Sequence, residues 1–276
     1  MTPTKKKSDK AGARAAGPEW THATLSEFDG VRFLHLDSIW VQGAMRIRKP
    51  QVLELEYIQR MMAWMLWRDS ESLREGHAVQ LGLGAAALTR FCHKVLRMQT
   101  TAVEINPTVI AACRSWFHLP EDDERLTVLN QDAARWVADP ANLQTVQVLN
   151  VDLYDHDAAS PVLDDEAFYA ACRGVLADGG LMTVNLFGRA ASFARSAARI
   201  ARVFGSDQVW SLAPTKEGNT VVVAGRGVQV PEREELERRA DKIEARFGSH
   251  GLPARKWLRL VRPLPMSIIA RAAEEA

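Results

Sequence analysis

Acidic side chains and two glycines follow successive candidate strands of this 276-residue chain. Gly82 and Gly84 stand where a strand must turn sharply into a helix, and glycine lets the backbone approach a ligand closely at such a turn. Glu104 lies about 20 residues further on, where a carboxylate can bind both hydroxyls of a ribose. Asp132 follows the next strand, where it could accept the exocyclic amine of adenine or only cap the following helix.

The fourth strand ends in VLNVDLYD, which places Asp152 and Asp155 at the same carboxyl edge of the predicted sheet. Open α/β sheets bind their ligands at this edge, although a strand-end aspartate can also form only an Asx turn. No Walker lysine follows the glycines, so an adenosine nucleoside fits the pattern better than a phosphate ligand. The sulfonium of an S-adenosyl compound is a cation, and carboxylates attract it.

Alternating strands and helices from His77 onward must position these side chains. Apolar runs predict strands at 78–81, 101–105, 127–129, 146–151, 181–185, 209–212 and 220–224. Helical patterns lie between most of them, at 88–98, 107–117, 133–137, 165–176 and 190–203. Apolar strands separated by helices indicate a parallel sheet covered on both faces, whereas the last two strands are predicted to form an antiparallel hairpin.

The segment before His77 has a different pattern. ATLSEFDGVRFLHLDSIWVQGAMRI alternates apolar and polar residues around Asp29-Gly30, which predicts short strands joined by a hairpin turn. Pro50 is predicted to open a helix that carries Tyr57. These patterns divide the chain into a disordered basic tail, a small β-domain with a helix, a nucleoside-binding catalytic domain and a helical extension, at 1–21, 22–75, 76–228 and 229–276.

Composition and charge exclude several classes of protein. The chain is 47% hydrophobic and 25% charged, and no apolar run approaches the ~18 residues that a membrane span needs. The N-terminal segment lacks the apolar core of a secretory signal, so a cytoplasmic protein is expected. The seven histidines and three cysteines show no metal-ligand spacing, so no metal is expected and the cysteines are interpreted as buried thiols. Nucleic-acid binding through the lysine-rich tail is a weaker alternative.

From about Leu25 to Gly225 the chain resembles the spermidine synthase (polyamine aminopropyltransferase) family. LHLDSIWVQGAM is similar to the family's N-terminal hairpin, EYIQRMM to its substrate helix, and LDDEAFYAACRGVLADGGLMTVN to the stretch after its catalytic loop. The resemblance implies an α/β, Rossmann-like class I methyltransferase fold, with a seven-stranded, mostly parallel sheet and a small N-terminal β-hairpin domain. It also implies an enzyme that moves an aminopropyl group from decarboxylated S-adenosylmethionine to an amine such as putrescine, with a homodimer as a plausible assembly.

The resemblance assigns roles to the residues on the nucleoside side. Gln42 matches the family's glutamine that contacts the nucleoside, and Gly82 and Gly84 match its glycine loop. Glu104 matches the ribose-binding acid, and Asp132 matches the acid beside adenine.

On the reacting side the resemblance makes Asp152 the catalytic base, with Asp155 and Tyr57 binding the amine substrate. The sequence differs from the family's motifs at three places on this side. Ala85 replaces the aspartate that holds the donor's amine, Tyr57 is one place from the family's tyrosine, and DLYDHDAASP replaces an Asp-Ser-Ser-Asp-Pro loop. Two alternatives therefore stay open, an S-adenosylmethionine-dependent methyltransferase and a non-catalytic nucleoside-binding relative.

Overall fold

The computed structural model of the chain describes residues 20–154, 163–187, 190–268 and 270. Asp155 and nearly all of the predicted basic tail lie outside the described residues. In the part that is described, no helix is long and apolar enough to cross a membrane.

A small antiparallel sheet comes first, formed by β1 (Ala23–Phe28), β2 (Val31–Leu36) and β3 (Gly43–Arg46). Phe28 pairs with Val31, so two residues make the turn between β1 and β2. Asp29 and Gly30 have φ of 48° and 72°, the positive values that a primed hairpin turn requires at both positions. The predicted hairpin is confirmed.

The helix after Pro50 begins later than predicted. The first helix, α1, covers Glu56–Met61, and a 3₁₀ segment continues it to Leu66. The backbone N–H of Leu53 donates to the His250 carbonyl at 2.9 Å, and the Leu53 carbonyl accepts from the Gln59 side chain at 2.8 Å. These two hydrogen bonds occupy the backbone N–H and carbonyl of Leu53, which a longer helix would use. The helix therefore begins at Glu56, and Tyr57 lies in its first turn.

The remaining elements form the large sheet and its covering helices. In chain order they are β4 (His77–Leu81), α2 (Ala87–Arg90), β5 (Gln99–Glu104), α3 (Pro107–Trp116), β6 (Leu126–Asn130), α4 (Ala133–Ala138), β7 (Val146–Val151), α5 (Glu166–Val175), β8 (Leu176–Phe187), α6 (Ala190–Phe204), β9 (Val209–Leu212), β10 (Asn219–Gly225), α7 (Arg233–Phe247), α8 (Ala254–Leu260) and β11 (Val261–Pro263). The segment predicted as a helix at 88–98 is helical from Ala87 to Leu96, but it changes from α2 to a π-helix at Phe91–Leu96.

The strand order of the large sheet is β11-β9-β10-β8-β7-β4-β5-β6. Strands β4 to β8 pair in parallel, and β10 lies antiparallel between β8 and β9, as predicted for the last hairpin. From β4 the chain continues to β5 and β6 on one side, and it then returns from β6 to β7 on the other side of β4. Ligands of open α/β sheets bind beside such a switch point, outside the carboxyl ends of the strands.

The C-terminal segment adds a strand as well as helices. β11 pairs antiparallel with β9, so the described residues form an eight-stranded sheet rather than the seven strands predicted. From α7 and α8, Phe247 and Trp257 join the same buried apolar cluster as Leu53 and Trp64. The C-terminal helices therefore support the segment that carries α1. The predicted four-part division of the chain stays a prediction.

The three cysteines are unpaired and buried, as predicted. Burial in apolar surroundings raises the pKa of the Cys92 thiol to about 12 and raises the pKa of the Cys113 and Cys172 thiols as well. All three are therefore neutral thiols near pH 7.

Candidate active site

A cavity of about 670 Å³ opens at the carboxyl ends of β4 to β7, between the large sheet and the small N-terminal sheet. It is lined by every predicted site residue that lies within the described ranges, namely Gln42, Tyr57, Gly82, Gly84, Glu104, Asp132 and Asp152. Residues from both sheets and from α1 thus face one space. Asp155, the remaining candidate, lies outside the described residues.

The glycine loop after β4 packs against two other parts of this cavity wall. Gly82 and Gly84 have φ of 82° and 49°. A Cβ built on Gly82 would lie 2.1 Å from the Asp152 carbonyl oxygen, and one on Gly84 would lie 2.9 Å from the Gln42 carbonyl oxygen. The glycines therefore let the loop contact both the end of β7 and the segment before β3.

Replacing Gly82 with alanine is expected to lower the free energy of unfolding by about 2–4 kcal/mol, because steric overlap adds to the strain of a positive φ. Gly179→Ala is the matched control, since Gly179 has φ of 73° but no atom within 4 Å of an added Cβ. Urea unfolding of both variants separates the two contributions. Equal losses in the two variants would show that the contact with Asp152 is unimportant.

Glu104 sits at the end of β5 with its carboxylate held by the backbone. Its two oxygens accept the N–H of Leu83 at 2.9 Å and the N–H of Asn106 at 2.8 Å. Burial raises the pKa of Glu104, and these N–H bonds oppose the rise because they favour the ionised form. A carboxylate has about four acceptor positions, so each oxygen can still accept a hydroxyl from a ligand in the cavity.

Asp132 has one of the two roles that the sequence left open, the cap of the following helix, and it also lines the cavity. Its carboxylate accepts the Arg135 N–H at 3.0 Å and so caps α4, while the residue also lines the cavity. The neighbouring Gln131 N–H donates to the Glu104 carbonyl at 3.0 Å, which brings the two acidic strand ends together. One carboxylate can cap a helix with one oxygen and accept an amine with the other.

Asp152 follows directly after β7 and lines the cavity. Burial raises its pKa to about 6, against hydrogen bonds from Asn185 and Tyr57 that favour the ionised form. The Asn185 amide donates to Asp152 Oδ1 at 2.9 Å. Within the described part of the chain, the carboxylate is thus held by β8 and α1, an arrangement different from a simple Asx turn.

Residues of β8 and β10 near Asp152 were not predicted from the sequence. The Asn219 amide donates to Asn185 Oδ1 at 3.1 Å, so two amides in series orient the carboxylate. The Tyr154 hydroxyl donates to the Asn185 carbonyl at 2.8 Å and accepts the Phe187 N–H at 2.6 Å. The available signal was Asn185 itself, a polar residue in the apolar run LMTVNLF that leads to the ligand edge.

The part of the cavity near Asp152 is also aromatic. Trp40, from the segment between β2 and β3, packs edge-on against Phe187 with ring centroids 6.2 Å apart. Glu217, in the turn before β10, lines the same cavity. This end can therefore hold a short apolar chain that carries a cation.

Ala85 is buried in the glycine loop, next to the cavity-lining Gly84. It is 3% exposed, belongs to an apolar cluster with Leu34 and Met45 of the small sheet, and lies against Gly43. A Cβ on Gly43 would come within 2.6 Å of the Ala85 Cβ. The small sheet therefore packs directly on the position where the sequence departs from the family pattern.

Comparison with known proteins gives consistent results. A model of the spermine/spermidine synthase domain matches residues 83–219. The polyamine aminopropyltransferase of Neisseria meningitidis is 30% identical over 237 residues, which cover 85% of this chain and 88% of that protein.

Solved structures share the fold. A probable spermidine synthase from Corynebacterium glutamicum has a TM-score of 0.64 at 18% identity and covers 80% of this chain and 83% of its own. Human methyltransferase-like protein 13, in complex with SAH, has a TM-score of 0.63 at 21% identity, covering 71% of this chain and 93% of its own. These likenesses confirm the predicted Rossmann-like, methyltransferase-type fold, and the sequence relationship shows that the chain belongs to the spermine/spermidine synthase family.

Proposed function

We propose that this protein transfers an aminopropyl group from decarboxylated S-adenosylmethionine to a small amine. The observation that carries the proposal is the half-buried Asp152, with a pKa raised to about 6, in the same cavity as the glycine loop and two further acidic strand ends. Family membership supports aminopropyl transfer as the reaction.

The donor half of the cavity has the chemistry that an adenosyl sulfonium requires. Glu104 would accept the ribose hydroxyls, and Asp132 would accept the exocyclic amine of adenine. Gly82 and Gly84 would let the nucleoside approach the backbone closely, and Gln42 would contact it from the small sheet. The carboxylates favour a cationic ligand, and the bound donor supplies an electrophilic methylene next to its sulfur.

Asp152 would prepare the acceptor amine. An alkylammonium has a pKa near 10.4, so it must lose a proton before its lone pair can attack. Burial lowers the pKa of an amine and raises the pKa of Asp152. The two shifts reduce the difference between these pKa values, which makes proton transfer from the amine to Asp152 less unfavourable. The nitrogen–carbon bond then forms as the carbon–sulfur bond breaks, and methylthioadenosine leaves with the sulfur's electron pair. Tyr57 would orient the carboxylate, and Asp155 would help to hold the charge of the amine.

The rate is expected to depend on the ionisation of Asp152. Only the carboxylate can take the proton, so kcat/KM should fall as the pH drops through about 6. The Tyr57 hydroxyl favours the ionised form, and Tyr57→Phe should therefore move this acid limb to higher pH. Rate profiles between pH 5 and 9 measure the shift. An acid limb that stays in place in Tyr57→Phe would contradict the contact.

Incubation with decarboxylated S-adenosylmethionine and a panel of amines tests the reaction directly. Mass spectrometry should find methylthioadenosine and an aminopropylated amine in equal amounts. Methylthioadenosine binding with no product from any amine would instead support a non-catalytic relative.

A methyltransferase is the second candidate, because Ala85 brings no carboxylate to the donor site and so removes one group that would repel the carboxylate of S-adenosylmethionine. Calorimetry with both donors separates the two functions. Aminopropyl transfer predicts tighter binding of the decarboxylated donor, and methyl transfer predicts tighter binding of S-adenosylmethionine.

A further inference from the structure

The Arg90 guanidinium is buried against the glycine loop and is not among the residues that line the cavity. The residue is 1% exposed, and in the described ranges no ion pair joins it to a carboxylate. Nη1 and Nε donate instead to backbone carbonyls, and Nη2 is buried without a hydrogen-bond partner among the described residues. Nη1 donates to Ala85 at 2.5 Å and to Phe117 at 2.7 Å, and Nε donates to Pro50 at 3.2 Å.

The loop that Arg90 contacts has an unfavourable backbone conformation. Besides the two glycines, Ala86 has a positive φ of 57°, which costs a residue with a Cβ about 1–2 kcal/mol. Such a conformation persists only where surrounding contacts hold it. Cys113 supplies a second contact, since its thiol donates to the Gly84 carbonyl at 3.1 Å. Two consecutive carbonyls, those of Gly84 and Ala85, are therefore bound by buried side chains.

The third carbonyl extends the contact to the other half of the site. Pro50 precedes the segment that leads into α1, whose first turn carries Tyr57. A single buried cation therefore joins the loop at the nucleoside end to the chain entering the helix at the amine end. Phe117, at the end of α3, anchors the same guanidinium to the large domain.

We infer that Arg90 is a positioning residue, which holds the glycine loop in its nucleoside-binding conformation and links that loop to the segment leading to Tyr57. Burial lowers the pKa of Arg90 to about 10, so the guanidinium stays charged at neutral pH and keeps its donors. The inference concerns the proposed nucleoside site, and it is independent of which group is transferred.

Arg90→Met and Arg90→Lys test this role, with Arg114→Met as the matched control. Arg114 lies on α3, is half-buried and pairs with the more exposed Asp122 outside the glycine loop. Methylthioadenosine is the probe for calorimetry, and hydrogen exchange at the amides of residues 82–87 reports on the loop. We expect Arg90→Met to weaken nucleoside binding about 10- to 100-fold and to speed exchange in the loop, because charged hydrogen bonds to three carbonyls are lost. Arg90→Lys should recover part of both, and Arg114→Met should match the wild type.

Several outcomes would overturn the inference. A folded Arg90→Met that binds methylthioadenosine within twofold of wild type, with unchanged loop exchange, would show that Arg90 only fills space. Arg90→Lys keeps the charge and is expected to fold. It would contradict the inference if it had the exchange rates and affinity of the wild type, because an ammonium lacks the planar fork that reaches several carbonyls at once. In steady-state kinetics, a lower kcat with an unchanged donor KM would also contradict it.

These measurements separate the inference from the proposed function. Wild-type protein that binds methylthioadenosine but transfers nothing would disprove aminopropyl transfer and leave the role of Arg90 to be decided by affinity. Wild-type protein that binds no nucleoside would disprove the proposed site, and loop exchange alone would then decide whether Arg90 holds the loop.

Discussion

Asp152→Asn is expected to lower kcat for aminopropyl transfer about 10²- to 10⁴-fold, the range typical for loss of a general base. Asparagine keeps the size of the side chain and can still accept the hydrogen bond from Asn185, but it cannot take a proton from the amine. Single-turnover rates with saturating donor and amine measure the effect. The donor affinity should change little, because Glu104 and Asp132 remain in place.

Thermal unfolding shows whether a lower kcat of Asp152→Asn comes from the loss of the general base or from the loss of folded protein. The pKa of Asp152 is about 6 in the folded protein and 3.8 in the reference state. The folded state therefore holds the proton more tightly, so this group's contribution to stability falls as the pH rises from about 4 to 6 and stays low above that. Asp152→Asn removes this half-buried charge, and at pH 8 the variant should melt no lower than wild type. Asp207→Asn, at an exposed position, is the control. Turnover within a few-fold of wild type would show that Asp152 is not the base.

Glu104→Gln is expected to raise the donor KM by at least about 100-fold, with a much smaller effect on the amine KM. The carboxylate accepts the N–H groups of Leu83 and Asn106, and an amide has only one oxygen for these two donors. The NH₂ of glutamine would face one N–H directly, and the variant would also lose the charge-assisted bonds proposed for the ribose hydroxyls. The glycine loop and the nucleoside are thus affected together.

Steady-state kinetics with each substrate varied in turn measures that prediction, and calorimetry with methylthioadenosine checks it without turnover. Glu121→Gln is the control, because Glu121 is exposed on the loop after α3. A donor KM within threefold of wild type would place the nucleoside elsewhere in the cavity. Equal rises in both KM values would indicate a general loss of folded protein.

The sequence by itself was sufficient for the first hairpin turn, for the parallel strands and for grouping three acidic strand ends at one edge of the sheet. Asp29-Gly30 determines its turn because both positions need a positive φ, and the apolar strands need cover on both faces whatever surrounds them. Parallel strands also bring their carboxyl ends to one edge, which is why Glu104, Asp132 and Asp152 could be grouped before any coordinates were known. These rules depend on neighbours along the chain or on strand direction alone.

Only the tertiary structure decided features that depend on contacts between distant residues. The bond between Leu53 and His250 sets the start of α1, and β11 joins the sheet because the C-terminal segment returns to β9. The raised pKa of Asp152 arises from its burial by distant parts of the chain. The Asn185 amide reaches Asp152, and the Asn219 amide reaches Asn185, only because β8 lies between β7 and β10. No periodicity along the chain encodes such contacts, because each one depends on how complete elements pack against each other.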